Sequence, residues 1–199
     1  MPRAVPATII ATMDVEHLER SARTRPIYRR EYEALGRQGY FEDEKVELLD
    51  GRIVYAAEEG PDHAAVYRRL TRVLIEAIPA EEGEVGVGNP LAISDLSEPE
   101  PDLMVVAPLP TYRAAHPETA TLVIEVAYSS RRNDLGLKAV LYAAAGIPDY
   151  WVVDLVHNEI AVHRDPAGTT YESITHHSEG TVRALHHPAV VVDVLDLLR

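Results

Sequence analysis

Apolar and polar positions recur at two periods along this chain, and the changes of period mark out its elements. The runs Leu103–Val106, Leu122–Ala127 and residues 150–154 are short and almost wholly apolar, which predicts strands buried on both faces. Over residues 63–78 the spacing becomes helical: Val66, Tyr67, Leu70, Val73, Leu74, Ala77 and Ile78 form one stripe, with Arg68, Arg69 and Arg72 off it. Asp62 is the expected N-cap of this helix. A second helix is expected over residues 131–145, capped by Ser129 or Ser130 and ended by Gly146, and a short one over residues 27–36. Val46–Leu49 and Arg52–Tyr55 flank an Asp50-Gly51 turn and read as a hairpin. Residues 81–88 read as a turn into a short strand, and residues 89–94 as another strand. Residues 159–163, 170–174, 181–185 and 190–192 read as an antiparallel C-terminal extension, followed by a helical turn over Val194–Leu198. Residues 1–25 lack a sustained period and read as an arm ahead of a single domain over residues 26–199.

Composition narrows the classes. At 199 residues, with 46% hydrophobic and 26% charged positions, the chain suits one globular domain. Its longest apolar runs fall short of the roughly 18 residues a membrane span needs, and the N-terminus lacks the apolar core of a secretory signal. The chain has no cysteine, which excludes disulfides, thiolate zinc sites and cysteine nucleophiles, and fits a cytoplasmic location. A net charge of −13 argues against a nucleic-acid grip built on electrostatics alone. Among 19 basic residues, lysine stands only at Lys45 and Lys138.

The chemistry centres on a charge where none is expected. Glu125 interrupts the apolar run of a buried strand, and burying an unpaired carboxylate costs several kcal/mol, so it is protonated, ion-paired or bound to a metal. An ion pair with Lys138 or an arginine is one reading. The other places Asp102, at the mouth of the preceding strand, beside Glu125 as an oxygen-rich site for Mg²⁺ or Mn²⁺. Lys138 on the following helix would then face a phosphate. Asp134 stands four residues before it, in the favourable helical order. His63, at the start of its helix's inward stripe, reads either as a histidine bonded at the helix terminus or as one facing the site.

The order Glu47-Leu48-Leu49-Asp50-Gly51, His63, Pro101-Asp102, Ile124-Glu125-Val126, Asp134 to Lys138 and Tyr150-Trp151-Val152-Val153-Asp154 resembles the Uma family of restriction-endonuclease-like proteins, within the PD-(D/E)XK nuclease superfamily. The resemblance spans roughly residues 28–164. It implies an α/β (α+β) fold, with a mixed sheet flanked by helices. It also implies that Asp102 and Glu125 are metal ligands, that Lys138 is a catalytic partner, and that Glu47, His63 and Asp134 support them. Ala127 occupies the place where the superfamily motif sets its lysine, and Lys138 matches a lysine moved to the following helix. The function so implied is a divalent-metal-dependent nuclease acting on nucleic acid, DNA ahead of RNA and weakly held. A non-catalytic, self-associating or partner-binding module on the same fold is the competing expectation. An exposed edge among the C-terminal strands makes a homodimer reasonable.

Overall fold

The computed structural model describes residues 25–108 and 115–199, so the expected arm over residues 1–25 lies outside the described part except for its last residue. Helix α1 (Arg29–Arg37) leads into a hairpin of β1 (Val46–Leu49) and β2 (Arg52–Tyr55), followed by α2 (Pro61–Ala77). The next strands are β3 (Glu84–Val87), β4 (Leu103–Val106) and β5 (Leu122–Ala127). A helical crossover then runs through α3 (Arg131–Asn133), a π-helical segment at Asp134–Lys138, and α4 (Ala139–Ala144). It returns the chain to β6 (Asp149–Asp154), β7 (Glu159–Ala167) and β8 (Thr170–His177), which complete a six-stranded mixed sheet in the order β3 to β8. Within it only β5 and β6 run parallel, the pairing that requires such a crossover. A separate pair, β9 (Thr181–Arg183) and β10 (Val191–Asp193), precedes α5 (Val194–Leu198).

Strand β5 divides the interior. Leu122, Ile124 and Val126 pack with Val66, Leu70 and Leu74 of α2, while Val123 and Ala127 pack with Tyr142 and Ala143 of α4 on the other face. Each large aliphatic side chain buried this way contributes about 1.5–3 kcal/mol. The strand alternation puts Glu125 on the second face, under the crossover.

Three local expectations are corrected. Residues 89–94 form no strand; the Asn89 side chain accepts from the Val87 N–H, and Ser94 makes only an isolated bridge to Ser97. The N-cap of α2 is Gly60, because Pro61 takes the first helical position, where its missing N–H costs nothing, and moves Asp62 into the first turn. The expected C-terminal extension is split, since β7 and β8 continue the main sheet and only β9 and β10 stand apart.

The hairpin turn has φ of 49° at Asp50 and 71° at Gly51, the two positive values a type I′ turn demands. A Cβ on Gly51 would lie 2.4 Å from Pro26 Cβ. Gly51→Ala is therefore expected to lower the unfolding free energy by about 1–3 kcal/mol in urea denaturation, a smaller change showing that Pro26 yields.

On β7, His163 is buried between Tyr150 and Tyr171, at ring distances of 5.3 and 5.6 Å. Burial holds its pKa below the ordinary histidine range. The unfolded chain then binds the proton more readily, so the stability from neutral His163 is present above about pH 6.5 and is lost as pH falls toward the folded value. His163→Phe should flatten the stability profile below that pH, and an unchanged profile would assign the acid sensitivity elsewhere.

Candidate active site

Five separate elements bring titratable side chains to one cleft. The hairpin strand β1 supplies Glu47, the first turn of α2 supplies His63, the entrance to β4 supplies Asp102, and the middle of β5 supplies Glu125. Asp134 and Lys138 come from the crossover and lie at the two ends of its π-helical segment.

Lys138 sits among carboxylates. Its Nζ donates to Glu47 Oε1 at 3.1 Å and to Glu125 Oε1 at 3.0 Å, and lies 3.9 Å from Asp134 Oδ1. All four residues are at most 7% exposed, so water screens these charges little. Burial works to strip the proton from Lys138, but the negative charges of Glu125, Glu47 and Asp134 outweigh it and hold the ammonium above the ordinary lysine range. Burial also pushes the Glu125 carboxyl up, against the pull of Lys138, and the neighbouring Asp134, Asp102 and Glu47 add to the rise. Asp134 is pushed up to about 6, chiefly by burial, with the charge of Lys138 and the nearby Ser130 side chain opposing. Three acids face one ammonium, so the arrangement favours keeping a proton within the carboxylate set.

Asp102 ties this group to the cleft mouth. Its Oδ2 accepts from the Val126 N–H at 2.6 Å and hydrogen-bonds His63 Nε2 at 3.2 Å, while its own N–H donates to Glu125 Oε2 at 3.4 Å. Burial alone would lower the His63 pKa, but the hydrogen bond and charge of Asp102 raise it above the ordinary range. His63 Nδ1 is buried without a hydrogen bond and lies 3.8 Å from Glu59 Oε2.

The structure thus brings Glu47, His63, Asp102, Glu125, Asp134 and Lys138 together, and of the two readings of Glu125 it contains the ion pair, with Lys138 as the cation. It also adds residues that the sequence reading passed over. Tyr142 donates its hydroxyl to Glu125 Oε1 at 3.0 Å. It stands one helical turn after Lys138, a spacing that was available as a signal. The Glu100 N–H donates to Glu47 Oε2 at 3.3 Å, and Lys45 pairs with Glu59 at the rim.

Among the described residues no three His, Asp or Glu side chains converge as ligands on one point. The donor chemistry nonetheless fits a hard divalent ion. Mg²⁺ is commonly held by one or two carboxylates, with water and substrate phosphate supplying the rest, and Asp102 with Glu125 is such a pair.

Residues 29–193 match the family described as Uma2, putative restriction endonuclease. The chain belongs to the Uma2 family. The match takes in each of the site residues from Glu47 to Lys138. The Uma2 chain also resembles a crystal structure described as a putative nuclease belonging to DUF820 from Anabaena variabilis ATCC 29413. That likeness has a TM-score of 0.64 and 16% identity over 77% of this chain and 89% of that one. At that identity the likeness establishes the fold, a mixed sheet flanked by helices. No curated protein matches the Uma2 chain. Among its described residues, no helix is long and apolar enough to cross a membrane.

Proposed function

We propose that this Uma2 chain is a divalent-metal-dependent nuclease that hydrolyses phosphodiester bonds in nucleic acid, DNA ahead of RNA. The observation that carries the reading is the meeting of Asp102, Glu125 and Lys138, from three separate elements, in one cleft. Asp102 and Glu125 would hold Mg²⁺ or Mn²⁺, which when bound supplies positive charge to a phosphate oxygen and acidifies a coordinated water. The Val126 N–H and His63 fix the orientation of Asp102, and Tyr142 fixes that of Glu125. Lys138, whose Nζ donates to Glu47 and Glu125, would as an ammonium donate toward charge developing on the phosphate. Glu47 and Asp134 position that ammonium from two sides.

The acidic balance of the chain supports a weak grip on nucleic acid, and the absence of cysteine supports a cytoplasmic location. The outer edge of β8, unpaired among the described residues, supports association of two copies. One observation favours a non-catalytic module instead: Glu47 and Glu125 already satisfy Lys138 without any ligand. Calorimetric titration with Mn²⁺ separates the two readings. A nuclease binds the ion and, loaded with it, cleaves DNA; a wild-type protein that takes up no Mn²⁺ rules the nuclease reading out.

A further inference from the structure

The only two lysines of the chain, Lys45 and Lys138, line the same cleft, and among its described lining residues they are the only Lys or Arg side chains. They are placed very differently. The side chain of Lys138 is 7% exposed and enclosed by acids, whereas that of Lys45 is 59% exposed. Lys45 immediately precedes β1 and lines the same cleft as Glu47 two residues on. A polyanion approaching the cleft meets Lys45 first.

Lys45 is engaged at rest, since its Nζ pairs with Glu59, whose side chain is 41% exposed. Glu59 also faces His63 Nδ1 at 3.8 Å, and His63 bonds Asp102, so the contacts run from the rim inward to the carboxylate pair. An ion pair this open to water is weak, so a phosphate can replace the carboxylate at little cost. The lining is otherwise rich in acids, among them Glu58, Glu59 and Glu100. In a chain of net charge −13, one accessible ammonium at the entrance has a large share in whether a phosphate backbone enters.

We infer that Lys45 is a substrate-contacting cation of this site, held at rest by Glu59 and transferred to a backbone phosphate of nucleic acid as the strand enters the cleft. The inference rests on the nuclease reading for its ligand. It adds to that reading a phosphate contact at the rim and a carboxylate that competes with substrate for it.

Binding of a fluorescein-labelled DNA duplex, read by anisotropy across a salt series in EDTA and in Mn²⁺, tests this beside a gel assay of cleavage. Lys45→Gln is expected to weaken binding about tenfold, uniformly across sequences, and to reduce the salt slope by about one. Glu59→Gln should tighten binding about threefold by removing the competitor, and Lys45→Arg should retain wild-type binding. The Lys45→Gln/Glu59→Gln double variant should bind like Lys45→Gln alone. Wild-type affinity and salt slope in Lys45→Gln would overturn the inference and leave the nuclease reading standing if the wild type cleaves. Binding that depends on Lys45 without any cleavage would support the contact and overturn the nuclease reading. A wild type that neither binds nor cleaves would overturn both. Melting temperatures of the variants are expected to match the wild type, because both side chains lie at the surface.

Discussion

Replacing Lys138 with methionine is expected to cost about 3–5 kcal/mol of stability at neutral pH and to remove cleavage, because it deletes the cation from a buried group of acids. Methionine keeps most of the volume, so the loss reports charge and not a cavity. Glu47, Glu125 and Asp134 would be left facing one another, and their remaining recourse is to take up protons. That gives the effect a direction in pH. Carboxyls whose folded pKa lies above the unfolded value stabilise at low pH and lose that contribution as pH rises through the folded value, which is about 6 for Asp134 even with Lys138 present. The deficit in urea denaturation should therefore be smaller at pH 5 than at pH 8. Affinity for Mn²⁺ should persist, since the proposed ligands remain. A variant as stable as the wild type at pH 8 would show that the acids are satisfied without Lys138.

Glu125→Gln should give the opposite combination. The substitution keeps the shape and removes one acid from a set that already exceeds its cation, so stability should change by less than about 1.5 kcal/mol. Function should change far more. An amide oxygen is a poor substitute for a carboxylate at a hard ion, and Mn²⁺ affinity is expected to fall by more than about 100-fold, with cleavage falling at least as far. Asp102→Ala should match it in metal affinity and should also release His63 and the Val126 N–H from their shared acceptor. Calorimetry with Mn²⁺ decides the point: undiminished affinity in Glu125→Gln would take Glu125 out of the ion site and leave it as the structural partner of Lys138.

Some of this was legible in the sequence for definite physical reasons. The Asp50-Gly51 turn was readable because a type I′ hairpin needs positive φ at both residues and few pairs supply it. Glu125 stood out because a charge inside an apolar strand demands a partner. The failures have equally definite causes. Residues 89–94 read as a strand because Leu91 and Ala92 are apolar, yet Leu91 is buried in the same apolar cluster as Met104 and Val123 without joining the sheet; apolar character reports burial, and only pairing makes a strand. The π-helical segment escaped notice because Asp134 and Lys138 are four apart in either kind of helix, and one residue's change of register leaves no trace in composition. Lys45 is marked in the sequence only by the rarity of lysine, since a lysine before a strand is otherwise ordinary until the fold shows what it stands beside.

The hairpin that delivers Glu47 is not part of the six-stranded sheet. It is tied on by the backbone pair between Leu48 and Glu98, by the Gly51 N–H on Leu96 O, and by a small apolar cluster around Tyr32, Val46 and Leu48. The large sheet and its two cores do not run through it. Its separate pairing and small apolar cluster make it the unit expected, in hydrogen exchange, to open at less than the global unfolding free energy. Each such opening would carry away one of the three carboxylates around Lys138 and let water reach the other two while the large sheet stays intact. The ammonium proposed to face the phosphate is thus braced from one side by the large sheet, through Glu125, and from the other by the hairpin, through Glu47, so its setting depends on the closure of the smaller unit.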